Sequence, residues 1–176
     1  MLLKATNNAA HTATEFHVSN IGMPRFIEVE ISTYCNRRCS WCPNYNHSRG
    51  QTQAAMAPHL WQQLLAELSY LNYSGEFAFH NYNEPLYAPD CFERLEQARI
   101  ALPDAHLVLF SNGDRLRREP HLLKQLVATG LDELRITLYP QEAKAHLAPQ
   151  LVMLRNYLRR IGLEDEANIS TVTDHG

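Results

Sequence analysis

Apolar and polar positions change their period repeatedly along this chain, and each change marks an element. Residues 1–24 are polar and without periodicity, after which Pro24 introduces FIEVEIST. There Phe26 or Ile27, Val29 and Ile31 alternate with charged or polar positions, the two-residue period of a half-buried strand. Pro58, suited to a first helical turn, opens a run in which Leu60, Trp61, Leu64, Leu65, Leu68 and Leu71 recur at helical spacing, ending near Asn72. Gly75 then turns the chain into EFAFHNY, a second strand that runs into NEPL. Pro89 and Asp90 start a second helix marked by Phe92, Leu95, Ala98 and Leu102. HLVLFSNG reads as a third strand, a continuous apolar run of the kind buried in parallel sheets, closed by Asn112 and Gly113. Leu122, Leu123, Leu126 and Val127 mark a third helix, stopped at Gly130. ELRITLYP is a fourth strand; a last helix over 149–161, carrying Leu151, Leu154, Leu158 and Ile161, leads through Gly162 to a fifth strand in ANISTVT.

Strands alternating with helices predict βα units, a parallel sheet and right-handed crossovers. The expected fold is α/β, a parallel (βα)n partial TIM barrel of about four and a half units. The expected organisation is a polar N-terminal segment over residues 1–24 and one core over residues 25–176. In such folds the functional loops follow the C-terminal ends of the strands.

Composition changes the picture little. The apolar fraction of 45% is ordinary for a globular domain, and 176 residues suffice for one hydrophobic core. A net charge of -3 and the lack of a long basic run give no support to a nucleic-acid groove or an anionic membrane surface. The longest apolar stretches fall far short of a membrane span, and the N-terminus lacks signal-peptide anatomy, so the expected location is cytoplasmic.

The candidate chemistry lies in ISTYCNRRCSWCPN, where Cys35, Cys39 and Cys42 form a C-x3-C-x2-C cluster directly behind the first strand. Thiolates are the soft donors that suit iron–sulfur clusters. Three of them leave one iron of a cubane open to a small molecule, whereas a fourth would close the site and leave an electron carrier. Only Cys91 is available as a fourth, and it lies at the head of a helix far along the chain, where a free cysteine behaves as a small hydrophobe. Zinc normally takes two pairs of ligands, and a second pair is missing here, although His47 and His80 could complete a site. A disulfide framework is disfavoured by so few cysteines in a chain of intracellular character.

The run from Cys35 to Cys42, with aromatic Trp41 before the third cysteine, resembles the CxxxCxΦC signature of the radical S-adenosylmethionine (radical SAM) family. The resemblance implies a [4Fe–4S] cluster on Cys35, Cys39 and Cys42, with S-adenosylmethionine chelated on the open iron and reductively cleaved to a 5′-deoxyadenosyl radical. That radical would abstract a hydrogen atom from a peptide, a sugar or a small metabolite. It also implies an external one-electron donor of the flavodoxin or ferredoxin type. Asn83, Glu84 and Pro85 stand at the place of a GGEP-like motif that grips the methionyl end, with Tyr82 and Asn83 where glycines are usual. Trp41 is expected near the adenine, Ser111 and Asn112 match a TNG-like strand end, and Thr137 lies where the family places a polar residue near the ribose.

Arg37 and Arg38 are expected either to raise the potential of the cluster or to face solvent. His80 and Tyr139 are read first as structural residues, and no catalytic acid, base or hydrogen-atom donor is assigned. The loop style resembles the branch that often carries a SPASM or Twitch extension, and the expectation is a core without that extension. Family domains usually have six βα units, so the expectation is a fragment, a compact variant, or a chain whose barrel a C-terminal extension or partner subunit completes. The rival readings are a non-catalytic iron–sulfur-binding fragment and a zinc-binding module.

Overall fold

In the computed structural model the described residues are 22–40, 42–138, 152, 155, 156, 158–160 and 167–171. Five strands, β1 (Phe26–Val29), β2 (Glu76–Phe79), β3 (His106–Ser111), β4 (Glu133–Leu138) and β5 (Ala167–Thr171), form one sheet in sequential order. Every neighbouring pair is parallel. This is the parallel α/β wall of (βα) units that the alternation of periods predicts.

The register separates two faces. Val29, Phe79 and Leu109 align across three strands, as do Ile27, Phe77 and Leu107. Helices α1 (Pro58–Tyr70) and α2 (Cys91–Ala101) contribute Trp61, Leu65, Leu68, Leu95 and Ala98 to the same apolar core. Trp61 is the hinge of that packing, with its ring centroid 5.8 Å from Phe79 and 6.1 Å from Phe77. Side chains alternate across a strand, so the opposite face carries Glu28, Glu76, His80, Phe110, Glu133, Arg135 and Thr137. Arg135 forms ion pairs there with Glu76 at 2.7 Å and with Glu133 at 2.8 Å.

Local chemistry sets the boundaries. Pro58 occupies the first turn of α1, and Asn72, at φ 50°, turns the chain away after it. Gly130, at φ 78°, follows α4 (Leu122–Ala128), as predicted. The first strand is shorter than its alternation suggested, because past Val29 the chain exchanges partners. Met56 N–H donates to the Ile31 carbonyl at 2.9 Å, and Thr33 N–H to the Ala54 carbonyl at 2.9 Å, closing the intervening residues into a loop. A short helix not expected from the sequence, α3 (Asp114–Arg118), follows Gly113. It has a single core residue, fully buried Leu116, too few apolar marks to show a period. Leu158, in the last predicted helix, is buried. The polar N-terminal segment lies almost entirely outside the described residues, and Trp41 and Tyr139 lie outside them.

Gly75 enters β2 under close contact. A Cβ there would lie 2.5 Å from the Tyr73 hydroxyl and 2.7 Å from the Arg25 carbonyl, whereas Gly22 has nothing within 4 Å. Gly75→Ala is expected to destabilise the fold by about 1–3 kcal/mol in denaturant unfolding. Gly22→Ala is expected to change it by less than about 0.5 kcal/mol.

Candidate functional site

The C-terminal ends of β1, β2, β3 and β4 surround a cavity of about 290 Å³, at the lower edge of the size of small-molecule sites, about 300–1,000 Å³. Cys35, Cys39 and Cys42 line one side, with Asn83, Glu84, Ser111, Asn112 and Thr137 among the residues opposite. The chain thus brings into one cavity groups from positions 35 to 137. Pro85 is buried just behind this lining and starts a 3-10 turn, Pro85–Tyr87.

The cysteine loop is held by its own backbone and by the sheet. Cys42 N–H donates to the Cys39 carbonyl at 3.0 Å, and Tyr45 N–H to the Cys42 carbonyl at 2.8 Å, so the second and third cysteines share a tight turn. Glu84 N–H donates to the Tyr34 carbonyl at 2.9 Å, and Asn44 Nδ2 to the Tyr82 carbonyl at 3.0 Å, tying this loop to the one after β2. All three cysteines are half-buried. Burial pushes the Cys35 thiol up to about 11 and raises Cys39 as well, although Arg37 opposes the latter. Thiols so disposed stay protonated near neutral pH until a bound metal displaces their protons into solvent.

Glu84 is the pivot between the loops. It is 2% exposed, and its carboxylate accepts from Ser111 Oγ at 2.8 Å and from Asn112 N–H at 2.7 Å. Ser111 Oγ in turn accepts from Gly113 N–H at 3.0 Å. Burial raises the Glu84 pKa to about 7, against the pull of those two hydrogen bonds. Next to it, Asn83 is buried with neither Nδ2 nor Oδ1 bonded. A buried amide with both ends unsatisfied is costly, and at a cavity wall it is a group prepared for a polar ligand. Asn81, at φ 146°, bends the backbone toward this point in a conformation that glycine adopts more readily.

The charged groups of the cysteine loop divide. Arg38 donates to the Tyr45 carbonyl at 2.7 Å and lies over the Tyr45 ring on the exposed side. Arg37 turns inward, where Asp114 receives it through two hydrogen bonds of 2.7 and 2.6 Å. Asn36 Nδ2 also donates to Asp114, at 2.8 Å. Asp114 and Asn36 carried no signal in the sequence beyond an acid directly after an Asn-Gly turn. His80 stacks on Phe110 at 4.1 Å, and burial holds its pKa below the ordinary value against Glu28 and Glu30. It lines the cavity, while His47 does not. Cys91 is fully buried at the start of α2, away from the cavity lining, and its thiol is pushed up to about 12 by burial.

The residues present suit a cluster with a chelated cofactor. The donor set is three soft thiols, each able to take a separate iron, and beside it stands the unsatisfied amide of Asn83. Among the described residues, no three or more His, Cys, Asp or Glu are arranged around a single ion.

Comparison with known proteins gives three findings. The family model described as Radical SAM superfamily matches residues 29–140. The S-adenosyl-L-methionine-dependent 2-deoxy-scyllo-inosamine dehydrogenase of Niallia circulans is 33% identical over 111 residues, 63% of this chain and 43% of that protein. The crystal structure of BtrN in complex with AdoMet and 2-DOIA superposes with a TM-score of 0.69 at 26% identity, covering 84% of this chain and 56% of that one. An open conformation of selenomethionyl BtrN gives a TM-score of 0.62. The chain therefore spans about half the length of the relatives it matches.

The raised pKa of Glu84 has a defined consequence for stability. Its folded-state value, about 7, lies above the usual 4.5, so the folded protein binds the extra proton, and this contribution is full below pH 4.5 and lost as pH rises through 7. His80, shifted the other way, favours the fold as pH rises toward 6.5. Glu84→Gln is therefore expected to flatten the decline of unfolding free energy between pH 5 and 8 relative to wild type, as read from urea titrations at each pH.

Proposed function

Since the chain belongs to the radical SAM superfamily, whose cofactors are a [4Fe–4S] cluster and S-adenosylmethionine, we propose that Cys35, Cys39 and Cys42 ligate the cluster and that the cavity beside them receives S-adenosylmethionine. The observation that carries this reading is the unbonded, buried Asn83 amide in the wall of the cavity that the three cysteines line.

In this reading the methionyl amine and carboxylate meet Asn83 and the backbone bent at Asn81. Glu84, already bonded to Ser111 and Asn112, acts through them by fixing the end of β3, with Pro85 behind it. Asn112 and Thr137 line the nucleoside side of the cavity, and Trp41 would pack near the adenine. When bound, the two cofactors supply one-electron cleavage to methionine and a carbon-centred radical that removes a hydrogen atom from substrate. The protein's part is to exclude water and to hold the reacting carbon in place.

The substrate we propose is a small polyhydroxylated amine related to 2-deoxy-scyllo-inosamine, on which the relative with 33% identity acts, and the reaction is its dehydrogenation. The polar face of the sheet supports this choice. Glu28, His80 and Thr137 share that face, and His80 and Thr137 line the cavity beside Phe110, where their ring nitrogen and hydroxyl can meet hydroxyl and ammonium groups. An external one-electron donor of flavodoxin or ferredoxin type would reduce the cluster. Among the described residues no helix is long and apolar enough to cross a membrane.

Anaerobic reconstitution of the full chain tests the assignment. Alanine at Cys35, Cys39 or Cys42 is expected to abolish cluster iron and 5′-deoxyadenosine formation from S-adenosylmethionine under dithionite, and Cys91→Ala to leave both intact. Substrate C-deuterated 2-deoxy-scyllo-inosamine is expected to transfer deuterium into 5′-deoxyadenosine. Loss of the cluster in the Cys91 variant would overturn the three-ligand assignment, and 5′-deoxyadenosine without deuterium would overturn the substrate.

A further inference from the structure

Arg37 lies between the first two cysteines in sequence, yet its side chain is only 5% exposed. A guanidinium withdrawn from water is strongly unfavourable unless its charge and its donors are met. Here they are met from 77 residues away: Nε donates to Asp114 Oδ2 at 2.7 Å and Nη2 to Asp114 Oδ1 at 2.6 Å, the two-pronged geometry in which an Arg–carboxylate pair is strongest.

Asp114 in turn belongs to a closed ring to which Arg37 is attached. Asn36 Nδ2 donates to the same Asp114 Oδ2, Asn112 Nδ2 donates to Asn36 Oδ1 at 2.8 Å, and Asp114 N–H donates to Asn112 Oδ1 at 3.0 Å. Two consecutive residues of the cysteine loop are thereby docked on the turn between β3 and α3. Asp114 is 5% exposed, and although burial opposes its charge, Arg37 and Asn36 hold its pKa below the usual carboxylate value. The electrostatic reach of the pair extends to the thiols: Arg37 favours an ionised Cys39 and Asp114 disfavours it.

Resting on the cofactor reading above, we propose that Asp114 is a positioning residue that, through Arg37 and Asn36, holds the cysteine loop in ligand-ready geometry and offsets the Arg37 charge, so setting the reduction potential of the cluster. The physical basis is that a carboxylate removed from this ring frees the loop and also leaves an uncompensated cation beside the cluster. A nearby cation stabilises the more negative, reduced cluster and shifts the potential upward. Outer partners of metal ligands have the corresponding effect on affinity.

The test uses the full chain after anaerobic reconstitution, as wild type, Asp114→Asn and Arg37→Lys. Iron retained under chelator challenge and the midpoint potential from an EPR-monitored redox titration are read together. Asp114→Asn is expected to weaken iron retention by about 10–100-fold and to shift the midpoint to more positive values. Arg37→Lys keeps the charge but loses the fork, so retention is expected to fall while the midpoint stays near wild type. Far-UV circular dichroism and melting of the apo-proteins identify a variant that fails to fold, and Arg37→Lys then carries the test. Folded variants with wild-type retention and an unchanged midpoint would overturn this proposal alone; a wild-type chain that takes up no cluster would defeat the cofactor reading on which it rests.

Discussion

Two buried carboxylates hold together the loops at one end of the sheet. Glu84 joins the loop after β2 to the end of β3, and Asp114, just beyond β3, receives the loop after β1. Each is nearly inaccessible and each is surrounded by donors, which is the condition under which a buried acid specifies geometry instead of weakening the fold. The three cysteines, the unsatisfied Asn83 and the strand end at Ser111 and Asn112 therefore form one cavity because these acids leave the loops little freedom.

The sheet prepares this arrangement by dividing its labour between faces. Phe77 and Phe79 pack edge against ring on the helix side, with Trp61 tilted against both, and make the scaffold rigid. The other face is kept polar by paired charges, with Arg135 bridging Glu76 and Glu133 and lying 5.0 Å over the Phe110 ring. A packed barrel interior would be dominated by branched apolar side chains; this face instead carries a charged cluster that satisfies itself by pairing. The radical chemistry proposed for the site would add a demand for precise placement, which loops anchored on strands supply better than free loops.

Much of this was legible in the residues. The alternation in FIEVEIST, the helical spacing from Leu60 to Leu71 and the apolar run before Asn112 gave the order of elements, because burial on one face imposes a period on the chain. The cysteine spacing, NEPL and SNG were visible because each carries its chemistry within a few residues. What escaped was long-range or too short. Asp114 and Arg37 are partners only in three dimensions, and α3, with Leu116 as its lone core residue, has no period to detect. The length of the first strand was overestimated because backbone pairing of Ile31 and Thr33 with residues 54–56 leaves no trace in a hydrophobic pattern.

The central claim is that three cysteines and the loops pinned beside them make one site for a cluster and its cofactor. It is tested most directly by electron paramagnetic resonance of the reconstituted, dithionite-reduced chain with and without S-adenosylmethionine. The account predicts a reduced-cubane signal whose g-values shift when the cofactor is added, because one iron is open to it. A cluster signal indifferent to S-adenosylmethionine, or no cluster at all, would contradict it.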